Sequence, residues 1–173
     1  MGMTYRMERA TERYLPLYLR DHWAAAGGGV SLARRISREN RNTPWAGELE
    51  DLALQIAADD STLHSIRMSL RSDGGRGGLR RRLVLIAERL SSLKLNGRFL
   101  RYSPLSRVIE AEALISGITA KQRLWLAMKE SVAIELPDFD FDRLVDRAES
   151  QLTTMRAFHL WAVTRAFGVL AAA

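Results

Sequence analysis

The sequence predicts an all-α protein, a four-helix bundle built from two antiparallel hairpins joined by a crossover. Three observations predict it. Apolar residues recur at three- and four-residue spacing over four long stretches, and no stretch alternates long enough to argue a sheet. Proline is scarce, 4 in 173 residues, while Ala, Leu and Arg are plentiful, which favours helix. Turn-forming clusters fall between the periodic stretches and set the order long, long, short, long, long. The length suits one domain, 1–173, with a sizeable core.

The first helix is expected over about Tyr14 to Arg38, with Pro16 in its first turn, where a missing N–H costs nothing. Its apolar face reads Leu15, Tyr18, Ala25, Ala26, Gly29, Ala33 and Ile36, and His22 falls at the centre of that face. Gly27, Gly28 and Gly29 weaken the helix, and small residues on a buried face let a neighbour come close. The run Glu39-Asn40-Arg41-Asn42-Thr43-Pro44 is a stop and restart, with Thr43 as cap and Pro44 at the first helical position.

The second helix is expected over Pro44 to Leu70, its buried face reading Trp45, Leu49, Leu52, Ile56, Asp59, Leu63 and Ile66. The short connection makes a hairpin with the first. Counting out from the turn brings His22 within about three residues, roughly 4.5 Å of rise, of Asp59. The glycine-rich stretch from Asp73 to Gly78 breaks the chain. A short helix over Leu79 to Leu95 then suits a crossover, within a connecting segment of about 72–103.

Tyr102-Ser103-Pro104 opens the next helix, expected to run to Glu130 with Val108, Ala111, Ile115, Ile118, Gln122 and Trp125 inward and Glu112 at the flank. Leu136-Pro137-Asp138 makes the last turn. The final helix, to about Gly168, turns Phe141, Val145, Ala148, Leu152, Met155, His159, Ala162 and Ala166 to one side.

The totals exclude several functions. There are no cysteines, so disulfides, thiolate catalysis and Cys-based zinc sites are out, which fits a cytoplasmic protein. No apolar run reaches the roughly 18–20 residues that span a bilayer, and the first nineteen residues carry both charge signs, unlike a signal peptide. Net charge is +6. Between Ser65 and Arg107, eleven basic residues stand against two acidic ones, so the middle of the chain is a basic zone.

The order of helices has the topology of ferritin-like bundles. In Tyr18-Leu19-Arg20-Asp21-His22-Trp23-Ala24-Ala25 through Arg35, in Asn40 to Pro44, in Leu93 to Arg98, in Tyr102 to Arg107 and in Glu110-Ala111-Glu112, the sequence also resembles an uncharacterised actinobacterial family of small ferritin-like proteins. The resemblance implies a fold and brings no activity. Ferritin-like enzymes hold two metal ions with inward carboxylates and two Glu-x-x-His pairs, a spacing that puts both ligands on one helical face. Neither pair is present here: His64 has Asp60 at i−4 but points away from the core, and position 62 is threonine. That argues against ferroxidase, oxygenase or ribonucleotide-reductase-like chemistry.

Two readings of the polar core residues stand. In one, His22 and Asp59 are half of a buried network that fixes helix register, and no cofactor is expected. In the other, His22, Asp59, Glu112 and His159 hold an iron, manganese or zinc ion, the equipment of a metal-binding protein or divergent oxidoreductase. Counting along the helices separates the two halves of that quartet by about 10 Å unless the hairpins are staggered. The basic zone allows a third reading, anion or nucleic-acid binding through Arg76, Arg80, Arg81 and Arg82, although no motif of recognised spacing accompanies them. The first reading is the one carried forward: a non-catalytic bundle with a structural or interaction role and a possible homo-oligomer, its protein partner undefined. Trp23 and the apolar tail from Phe167 to Ala173 are its contact candidates.

Overall fold

The computed structural model describes residues 2–71, 102–132 and 135–168. Within them lie four α-helices and no strand: α1 Gly2–Glu39, α2 Ala46–Arg71, α3 Pro104–Val132 and α4 Phe141–Phe167. The expected crossover helix, Leu79 to Leu95, lies outside the described residues, as do Arg76, Arg80, Arg81 and Arg82.

α1 begins well before Tyr14, so Pro16 is inside the helix and not in its first turn. A proline there removes one i→i−4 hydrogen bond, and the helix runs through that gap. α2 and α4 end where expected to within a turn, and α3 runs two residues past Glu130. Asn40 closes α1 and Thr43 opens α2. The Thr43 hydroxyl donates to the Asn40 carbonyl (2.8 Å) and accepts from the Trp45 N–H (3.2 Å). Ser103 caps α3 by accepting from the Ser106 N–H at 3.1 Å. Asp140 caps α4 by accepting from the Arg143 N–H at 2.9 Å. Each cap satisfies a backbone donor that the helix itself leaves free.

α1 packs on α2 and α3, α3 packs on α4, and α2 and α4 touch only sparsely. The start of α3 lies at the α1–α2 turn, because buried Asn40 ties it there. The Asn40 Nδ2 donates to the Ile36 carbonyl at 2.8 Å and to the Tyr102 hydroxyl at 3.0 Å, while its Oδ1 accepts from Arg107 Nε at 2.8 Å. The far half of α4 returns to the same end, where Trp45 meets Phe158 and Trp161 at centroid distances of 5.8 and 6.5 Å. α2 and α3 therefore run parallel across the bundle, and the helix pairs whose backbones pack closely are antiparallel. The chain between Arg71 and Tyr102 joins opposite ends of a bundle roughly 39 Å long, the length of a 26-residue helix.

The core gathers Ile36, Leu49, Ile66, Ile118, Trp125, Met128, Leu152, Met155 and Phe158, all essentially inaccessible. Most of the two expected faces on α3 and α4 is buried as read, and single positions differ by one residue. On α3 the inward positions are Leu114 and Leu124 with Val108, Ala111, Ile118 and Trp125, and Ile115 is only partly buried. On α4 Phe141, Ala148, Leu152, Met155 and Ala162 are buried as expected, with Leu144, Gln151 and Phe158 inward in place of Val145 and His159. One residue is a rotation of about 100°, enough to move a side chain from core to flank. On α1, Ala25 is exposed and Leu19 and Val30 are buried, so His22 is off the centre of the packed face. Gly27 and Gly29 face open space and not a close neighbour.

Candidate functional site

The polar core of the bundle is built around Asp59, whose side chain is 2% exposed. It projects from the middle of α2, where the apolar pattern Ile56, Leu63, Ile66 turns it inward. Its partners come from the other hairpin. Lys121 Nζ from α3 donates to Asp59 Oδ2, and Gln151 Nε2 from α4 donates to the same oxygen at 3.1 Å. Lys121 also donates to Gln151 Oε1, and Gln151 Nε2 reaches Gln55 Oε1 at 3.3 Å. Arg147 Nη2 from α4 closes on Asp59 Oδ1 as an ion pair. That contact has the distance of a pair without hydrogen-bond geometry, and it leaves Asp59 Oδ1 and Arg147 Nε buried with no hydrogen bond. Two cations thus face one carboxylate. Burial holds the Lys121 ammonium below its ordinary value, against the pull of Asp59.

Asp59 is therefore the one expected site residue found deep in the core, and its neighbours are not the expected ones. His22 is half-buried on α1 with its ring edge-on to Tyr18 at 4.6 Å, and burial lowers its pKa against the opposing effect of Asp21. Glu112 and His159 do meet, Nε2 to Oε1 at 3.1 Å, but on the outer flank of α3 and α4, with side chains 59% and 30% exposed. They sit nine residues before Lys121 and eight after Gln151, so about 12–13 Å of helix separates that pair from Asp59. The quartet does not converge. Among the described residues no group of three or more His, Cys, Asp or Glu side chains is placed to hold a metal ion.

The cluster fails as a dimetal centre on its own chemistry. Such a centre needs several inward carboxylates and imidazoles, whereas this core offers one carboxylate already neutralised by an ammonium and a guanidinium. A cation brought to Asp59 would have to displace two others.

Lys121, Arg147 and Gln151 were missed by the sequence reading. Gln151 carried a signal: it lies three residues after Ala148 and four before Met155, on the buried stripe itself. Lys121 likewise lies three after Ile118 and four before Trp125.

Arg147 also lines a groove of about 420 Å³ between α2 and the first turns of α4. α2 contributes Ser61, Thr62 and Ser65, the loop Asp138, Phe139 and Asp140, and α4 adds Arg143 and Leu144. A second polar junction, at the other end of the bundle, joins Arg35 to Glu110 at 3.0 Å, and burial raises the Glu110 carboxyl above its usual range. No helix among the described residues is long and apolar enough to cross a membrane. No protein-family model, curated protein or solved structure matches the chain.

Proposed function

We propose that this chain is a non-catalytic helical bundle with a structural or interaction role, ferritin-like in topology, in which a charged cluster stands where relatives of that fold would hold metal. The observation that carries the reading is the setting of Asp59 between Lys121 and Arg147. A desolvated carboxylate with two fixed cations is a register device: a misaligned helix leaves a charge unpaired in the core. The parallel arrangement of α2 and α3 supports the ferritin-like topology, with the connection over about 72–103 as the crossover.

Self-association is the interaction role we favour. Leu105 and Ile109 on α3 and Leu160 and Phe167 on α4 are exposed large apolar residues near the Glu112–His159 pair, at one end of one hairpin. By helical phase Leu105, Ile109 and Glu112 share a face.

Metal analysis of protein purified without a His tag tests the first part. Substoichiometric transition metal is the expected result, and roughly one ion per chain that disappears in Asp59→Asn would overturn it. Sedimentation of the wild type against Leu160→Glu and Phe167→Glu tests the second. A dimer that dissociates in either variant supports it, and a wild-type monomer at high concentration removes it.

A further inference from the structure

We propose that the groove between α2 and the start of α4 binds a small phosphate monoester, with Arg143 and Arg147 holding its phosphoryl oxygens. This does not depend on the self-association or metal readings above.

Charge is the first argument. Asp59 is the one carboxylate within ion-pair reach of Lys121 and Arg147 among the described residues, so the buried cluster carries an excess cation. Arg147 spends one Nη on Asp59 and lines the groove, while its Nε is buried without a hydrogen bond. An uncompensated guanidinium beside a cavity draws an oxyanion, which accepts from its planar fork. Arg143 lies one helical turn away on the same side of α4, about 5–6 Å between Cβ atoms. It lines the same groove and makes no ion pair with a described residue.

The opposite wall sets the ligand class. The hydroxyls of Ser61, Thr62 and Ser65 each donate to the carbonyl four residues back, at 3.2, 3.0 and 3.1 Å. Their oxygens are left to accept, which suits the O–H groups of an ester's organic part. Phe139 and Leu144 add apolar surface. The volume, about 420 Å³, is within the range of small-molecule sites and larger than a bare phosphate needs. Two carboxylates also line the groove and offset its two arginines in formal charge, but neither forms an ion pair with them. Asp140 is committed to capping α4, and Asp138 is an exposed loop residue outside ion-pair reach of Arg147.

Calorimetric titration of the full chain at constant ionic strength tests this with three probes: glycerol phosphate, inorganic phosphate and acetate. Saturable binding of one glycerol phosphate per chain is expected, tighter than inorganic phosphate and far tighter than acetate. Arg143→Gln should weaken it at least tenfold, and Ser65→Ala several-fold. Both residues are exposed, so both variants should melt as the wild type does. No saturable heat with any probe overturns the proposal. So does binding that Arg143→Gln leaves unchanged, or that is lost only when Arg80, Arg81 and Arg82 are replaced by Ser. Inorganic phosphate binding as tightly as the ester would overturn the assignment of the hydroxyl wall.

Discussion

Arg147 on α4 and Asp59 on α2 form an ion pair between two helices whose backbones approach only sparsely. Side-chain reach, and not backbone proximity, holds the two together. Asp59→Ala should therefore cost about 3–5 kcal/mol, because it leaves the largely buried Lys121 and Arg147 facing each other without a counter-charge. Asp59→Leu combined with Lys121→Met and Arg147→Met should recover most or all of the loss, since a packed apolar core needs no charge pairing. Urea denaturation of the two variants checks both statements. A triple variant no more stable than Asp59→Ala would mean that the cluster contributes net stability.

Asn40 is the comparable point at the other end. It is fully buried and joins α1, Tyr102 and Arg107 through three side-chain hydrogen bonds. Asn40→Ala should cost about 2–4 kcal/mol, from buried groups stranded without partners. The Arg107 guanidinium, 5.2 Å above the Tyr102 ring and 5.9 Å from that of Trp161, would lose its anchor. Chemical denaturation measures the cost. A change below about 0.5 kcal/mol would show that water replaces the amide.

Burial pushes the Tyr102 phenol up to about 12, partly opposed by its hydrogen bond with Asn40. The folded chain then keeps a proton that the unfolded chain releases near pH 10.0. Stability from this group is whole below that point and falls as pH rises toward 12. Lys121 acts in the opposite sense, because its proton is held more weakly in the fold than out of it. The difference between wild type and Tyr102→Phe isolates the phenol. The wild type should lose stability relative to the variant as pH rises from 10.0 to about 12. Parallel curves would refute the shift.

An ideal Cβ on Gly27 or Gly29 meets nothing within 4 Å, and both residues are inside α1. Gly27→Ala and Gly29→Ala should each raise stability, by about 0.5–1 kcal/mol, through the lower backbone entropy of alanine. A thermal melt reads the gain, and a lower midpoint would point to an unseen contact.

The half-exposed Glu112–His159 pair serves as a control for the buried cluster. His159→Ala and Glu112→Gln should each shift stability by no more than about 1 kcal/mol. A loss as large as that of Asp59→Ala would make the flank as important as the core.

The positions of turns were legible because their chemistry is local. Thr43-Pro44, Ser103-Pro104 and Leu136-Pro137-Asp138 announce themselves by residue type alone, although α2 opens at Ala46 and α4 at Phe141, later than Pro44 and Asp138. The inward faces were harder, since Val108, Ala111, Ile118 and Trp125 fit both Ile115 with Gln122 and Leu114 with Lys121. Only the partner helix decides between phases one residue apart. Lysine was passed over for its charge, yet its four-carbon stem brings the ammonium to Asp59 from a position 16% exposed. His22 and Asp59 shared a plausible height on a hairpin. Their separation comes from the azimuth of α1, which the neighbouring Leu19 and Val30 set.

The contacts that join the two hairpins have a consequence for folding order. Within each hairpin, partners are near in sequence. Between hairpins, Asn40–Tyr102 and Asp59–Lys121 each span 62 residues, and Asp59–Gln151 spans 92. Long closures form late and slowly. In a lone α1–α2 hairpin Asp59 would keep its hydration. It gives up that water only when the second hairpin arrives with Lys121 and Arg147 at the right height. A slip of one turn, about 5.4 Å, would strand all three charges. Docking in the wrong register therefore carries the penalty of three unpaired charges, on top of any loss of apolar contact.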